Sequence, residues 1–134
     1  MSVNANIELA RRMLAAFETG DAGVVDELVH PAHRDHAALD CSSGPDGVRE
    51  SIRWLRDTFA QREIVLEDIV AAGDRVVARV RFTATRSGAA SEVTATGAHL
   101  ETEHVHIWRV AYGRLAEHWM VPDDLMAVPG FIGD

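Results

Sequence analysis

The sequence predicts an α+β fold in which three helices come first and then pack on one side of a strongly curved antiparallel sheet. Two observations carry that expectation. Apolar residues recur at helical spacing through the first half of the chain, and from Ile64 onward the period drops to two. The order matters as much as the periods, because helices grouped ahead of strands argue for α+β rather than for alternating units around a parallel sheet.

Ile7, Ala10, Met13, Leu14 and Phe17 lie at helical spacing, with Asn4 available as an N-cap and Gly20 as the stop. Asp21 can cap a short second helix, AGVVDELV. This helix ends at His30-Pro31, since the residue before a proline is pushed out of the helical region. The stretch HRDHAALDCSSGPDG, rich in Ser, Gly, Asp and Pro, reads as a loop. Val48, Ile52, Leu55 and Phe59 then mark a third helix, with Arg49, Arg53, Arg56 and Asp57 toward water. The stretch REIVLEDIVAAGDRVVARVRFTATR divides into two strands at Gly73-Asp74. Val76, Ala78, Val80 and Phe82 share one face, and Val77, Arg79, Arg81 and Thr83 the other. After the small-residue loop SGAASE, a long strand is expected from about Val93 to Val110 and a last one from Arg114 to Val121.

The chain has 134 residues, the size of one ordinary domain spanning 1–134, and its hydrophobic (47%) and charged (25%) fractions are those of a soluble globular protein. A formal charge of −8 surrounds it with a negative field, which argues against nucleic acid and anionic membranes as partners. Cys41 is the only cysteine, so no intrachain disulfide can form and a reducing compartment is the simpler expectation. The start, MSVNANIELARRM, has no apolar run of signal-peptide length, and a cytoplasmic location is expected.

The chemistry concentrates in ETEHVHIWRVAYGRLAEHWMVPDD, which holds three of the seven histidines and two of the three tryptophans. If Gly113 is the third residue of a three-residue loop, Val110 pairs with Arg114. Thr102, His104, His106 and Trp108 then share a face with Ala116, His118 and Met120. A two-residue loop at Tyr112 and Gly113 would break that parity and separate His106 from His118.

The stretches LARRMLAAFETGD, LVHPAHRDH, GPDGVRESIRWLRDTF, DRVVARVRFTAT and VHIWRVAYGRLAEHW run through most of the chain in order. With them, the region from Ile7 to Asp123 resembles the SnoaL-like polyketide cyclase family, which has the nuclear-transport-factor-2-like fold. The resemblance implies a cone of curved antiparallel or mixed sheet closed by the three helices around a deep apolar cavity, and a homodimer through the outer face of the sheet. It also implies a ring closure without cofactor or metal, in which a histidine of the VHI segment lies beside an aspartate placed directly after HW. His106 matches the histidine. The aspartate's position is Met120, and a thioether carries no proton to exchange.

Four residues are therefore expected to share the catalytic work. His106 and His36 match family histidines, with His36 expected at the cavity; Asp123 matches a second acidic position; His118 is placed by the register above. His33 and Asp35 read as loop residues. Trp54, Trp108, Met120, His104 and Phe17 are the expected substrate-binding residues, on an apolar polycyclic or polyketide-like small molecule. The leading expectation is an enzyme of secondary metabolism that moves protons in cyclisation or isomerisation. A non-catalytic binding protein is the alternative, which Met120 favours because methionine adapts to apolar ligands. Two readings rank lower. One is a metal held by His104, His106 and His118, on a face where no acidic residue is expected. The other is an epoxide hydrolase, for which no inward acidic pair is found.

Overall fold

The computed structural model describes residues 2–37, 44–86 and 99–122. Helix α1 spans Val3–Thr19. Its N-cap is Ser2, whose side chain accepts a hydrogen bond from the Ala5 N–H, so the expected cap Asn4 lies inside the helix. Gly20 ends α1 in the left-handed conformation at φ 81°, where its N–H bonds back to the Ala16 carbonyl. Asp21 caps a 3-10 turn, Ala22–Val24, which continues into the short helix α2, Val25–Leu28. Helix α3 spans Gly44–Thr58, and it buries Val48 and Ile52. Phe59, counted above as the end of that apolar stripe, is instead the first residue of a strand.

The five strands are β1 (Val29–Asp35), β2 (Phe59–Ala72), β3 (Arg75–Arg86), β4 (His99–Ala111) and β5 (Arg114–Pro122). They form one curved mixed sheet in the order β1-β5-β4-β3-β2. From β2 to β5 the sheet is the expected meander, with a two-residue turn at Gly73-Asp74 joining β2 to β3. Bulges in β2 bend the long β2–β3 ribbon and strengthen its twist. The fifth strand corrects the sequence reading: β1, expected to be the end of the second helix and the start of a loop, lies parallel to β5 at the edge of the sheet. An edge strand tolerates Pro31, because its missing N–H faces no partner strand there.

The helices cover one face of the sheet. Met13 and Leu14 of α1, Leu28 of α2 and Ile52 of α3 meet Val76, Ala78, Val80, Trp108 and Leu115 from the strands in one buried cluster. The alternation expected for β3 holds, since Val76, Ala78, Val80 and Phe82 are all buried. Burying Leu28, Ile52 and Leu115 completely stabilises the fold by about 1.5–3 kcal/mol each. Among the described residues, no helix is long and apolar enough to cross a membrane. Cys41, the SGAASE loop, the start of the expected strand at Val93, and Asp123 with Asp124 lie outside the described residues.

Candidate active site

The geometry of the site begins at the β4–β5 turn. The loop is the two-residue one, Tyr112 (φ 52°) and Gly113 (φ 76°), joining Ala111 to Arg114; both central residues take positive φ, as a type I′ turn requires. The expected Val110–Arg114 pair is therefore wrong, and Val110 pairs with Leu115. The loss of parity feared for this loop does not follow. A bulge places Leu115 and Ala116 together against the β4 strand, both buried, and beyond it Arg109 pairs with Glu117 and Trp108 with His118. His106 faces Met120 across the ladder. The histidines of the two strands thus share the inner face, with the bulge rather than the loop length setting the parity.

Strand β1 completes the arrangement. Asp35 lies beside His118 in the parallel ladder, and its Oδ1 is 2.9 Å from His118 Nδ1. His118 Nε2 lies 2.9 Å from His106 Nδ1. The two imidazoles are nearly coplanar (17°), and the Trp108 indole stacks on both, with ring centroids 5.3 Å from His106 and 5.2 Å from His118. His104 meets His106 edge-on and is hydrogen-bonded through Nε2 to the Thr102 hydroxyl at 2.8 Å. Every ring in the row is therefore fixed by a neighbour before any ligand arrives.

Donor and acceptor accounting sets the protons. Burial works against the Asp35 carboxylate, but its bond and charge attraction to His118, with the Ala37 N–H at 2.9 Å, outweigh that and hold its pKa below the usual carboxylate value. An ionised Asp35 can only accept, so His118 donates from Nδ1–H. With the His118 proton on Nδ1 alone, its Nε2 lone pair accepts from the Nδ1–H of His106, and Nε2 of His106 then keeps a lone pair. Burial, together with the positive charge of His118 and His104 when protonated, holds His106 well below the ordinary imidazole pKa. That edge of the ring has no hydrogen-bond partner among the described residues.

These groups open on a cavity of about 620 Å³ between the helices and the sheet. Its wall is mainly apolar, and Phe17, Trp54, His104, Trp108 and Met120, the five expected substrate-binding residues, all line it, as do His106 and His118. Trp54 is 62% exposed and stands at the open side, in edge contact with Phe59. Two groups read as loop residues also line the cavity, Asp35 and His33. Asp35 overturns the expectation that no acid shares the histidine face. The signal for both was the alternation of Val29, His33 and Asp35 at odd positions, hidden because exposed Pro31 interrupts it and the β1–β5 register shifts between Val29 and Arg34.

His36 is a correction in the opposite direction. Expected at the cavity, it sits on the outer side of the sheet, where Nε2 is 2.8 Å from Glu117 and the ring stacks on Trp119 at 5.0 Å. Glu117 also accepts from Arg109 Nε at 2.8 Å; first that bond and then the one to His36 keep its pKa low. As for the metal reading, the His106 and His118 nitrogens point at each other instead of converging on a common centre. No group of three or more His, Cys, Asp or Glu side chains among the described residues is arranged to hold an ion.

Fold and site together define a class of small α+β proteins in which a curved sheet and its covering helices enclose an apolar hollow with a few ionisable groups on one wall. The chain belongs to the SnoaL-like polyketide cyclase family, whose profile matches residues 7–129. It is 29% identical to the aklanonic acid methyl ester cyclase DnrD of Streptomyces peucetius, over 92% of this chain and 88% of that one. It is 30% identical to the nogalonic acid methyl ester cyclase of Streptomyces nogalater, over 83% and 85%. Among solved structures, TsrD from Streptomyces laurentii superposes with a TM-score of 0.81 at 28% identity, covering 92% of this chain and 91% of its own.

Proposed function

We propose that this protein is a cofactor-independent cyclase of secondary metabolism that closes a ring in a polyketide-like ketone by proton transfer, with His106 as the base. The observation that supports this reading most is the hydrogen-bonded chain Asp35–His118–His106, which ends at an apolar cavity. In an intramolecular aldol closure, His106 Nε2 takes a proton from the carbon next to a carbonyl. The proton on His106 Nδ1 can pass to His118 Nε2, so the positive charge comes to rest beside the Asp35 carboxylate. The enolate carbon attacks the second carbonyl, one C–C bond forms, and the resulting alkoxide takes the proton back from His106. No net proton, electron or leaving group is exchanged.

This arrangement offers a physical answer to Met120. A carboxylate at that position would act on the substrate directly; here the acid lies one strand further out, on β1, and acts through two imidazoles. The relatives named above support ring closure as the reaction. Replacing His106 with Ala should lower kcat by about 10²-fold to 10⁴-fold while ligand affinity stays within a few-fold; unchanged turnover would sink the assignment. Met120 also favours a protein that only shelters an apolar ligand, and product formation above a heat-treated control excludes that alternative. We further infer a homodimer through the outer sheet face, where Trp119 and the 54%-exposed Val121 leave apolar surface. Light scattering that returns a monomer mass would contradict it.

A further inference from the structure

One polar group of the cavity wall that the reaction above leaves unused is His33. It is 2% exposed, lies on the inner side of β1 two residues before Asp35, and lines the cavity. Its Nδ1 is sealed from solvent with no hydrogen-bond partner, one of two such side-chain atoms among the described residues. Nε2 is not sealed in this way and has no partner among the described residues, and the ring is part of the cavity wall. A buried N–H without an acceptor is among the rarest features of folded proteins, whereas an unused lone pair is tolerated more often. The ring therefore keeps its proton on Nε2 and leaves the bare lone pair at Nδ1.

We propose that the Nε2–H of His33 is a hydrogen-bond donor to the carbonyl oxygen of the bound substrate, so that it orients the ketone and stabilises the enolate oxygen formed when His106 takes the adjacent proton. The assignment rests on the carbonyl-bearing substrate proposed above and adds the group that receives the developing negative charge. Burial, only partly offset by the charge of Asp35, pushes the His33 pKa down to about 4, so the ring is neutral at working pH. A neutral imidazole of this kind donates to an oxygen without giving up its proton, the task of an oxyanion donor.

Two rigid, unreactive probes test it: 9-fluorenone, and fluorene, which has the same skeleton without the oxygen. By equilibrium dialysis the native protein should bind fluorenone about fivefold to tenfold more tightly than fluorene. That ratio should fall to about one in His33→Phe and persist in part in His33→Gln, which retains an N–H. Nitrogen-15 NMR of the native protein should show His33 protonated at Nε2 only, with that proton shifting when fluorenone is added. A native protein without the fluorenone preference, a preference unchanged in His33→Phe, or a proton on Nδ1 would each overturn the proposal. Because neither probe reacts, a failed base assignment at His106 leaves these readouts untouched, and their failure leaves that assignment standing.

Discussion

Asp35 touches no reacting atom in the proposed reaction, yet it decides which nitrogen of each histidine carries the proton. Replacing it with Asn keeps the shape and removes the charge that holds His118 in the Nδ1–H form. We expect kcat to drop by about 10²-fold with KM nearly unchanged, and the His106 and His118 tautomers to change in nitrogen-15 spectra. A merely structural role would leave those tautomers unaltered. A second prediction at this scale concerns Gly20, which holds φ 81° and whose added Cβ would lie 2.9 Å from Arg56 Cδ. Gly20→Ala should cost about 1–2 kcal/mol in urea denaturation, chiefly from the backbone, since the Arg56 side chain can move.

Asp35 and His33 also show why some of the site was illegible in the sequence. Each reads as a loop residue because Pro31 and the broken β1–β5 register erase the alternation that marks a strand. His36 failed for a related reason: a match to a family segment places a residue along the chain, but the side it faces depends on strand parity, and one position of offset separates the cavity from the outer surface. His106 and His118 are legible because Trp108 and Met120 accompany them at even spacing on adjoining strands.

Among the elements, the β4–β5 hairpin carries the most consequence per residue. Its two-residue turn would by itself have turned His118 outward, and the bulge at Leu115 and Ala116 turns it back. Deleting Ala116 should therefore lower thermal stability and abolish turnover together, with far-ultraviolet circular dichroism still showing a helix–sheet protein. A deletion variant with full activity would mean that the bulge does not set the register of the site. The helices are the more predictable elements, because α1 and α3 announce themselves by period. Their ends were less so: Ser2 rather than Asn4 caps α1, a choice between neighbouring residues that local propensity scarcely separates.

For the whole molecule, two buried imidazoles impose a pH dependence on stability. The folded pKa of His33 is about 4 against an ordinary value of 6.5, and His106 is lowered in the same direction. Between those values the unfolded chain binds protons that the native protein refuses. The stabilisation is thus fully present above pH 6.5 and is lost as the pH falls toward 4, at up to about 1.4 kcal/mol per pH unit for each group. The urea midpoint should accordingly fall between pH 7.5 and 5.5, and His33→Phe should flatten that slope. A midpoint independent of pH over this interval would show that the two rings are not buried neutral.

By itself the sequence determined the class of fold, the periodic helices α1 and α3, the buried face of β3 and the histidine-rich wall, because each depends on a period that neighbouring residues repeat. Only the tertiary structure decided that β1 is a strand, that Asp35 completes the row of histidines and that His36 lies outside. Those outcomes depend on pairing between residues more than eighty positions apart and on a one-residue bulge, and no local periodicity records either.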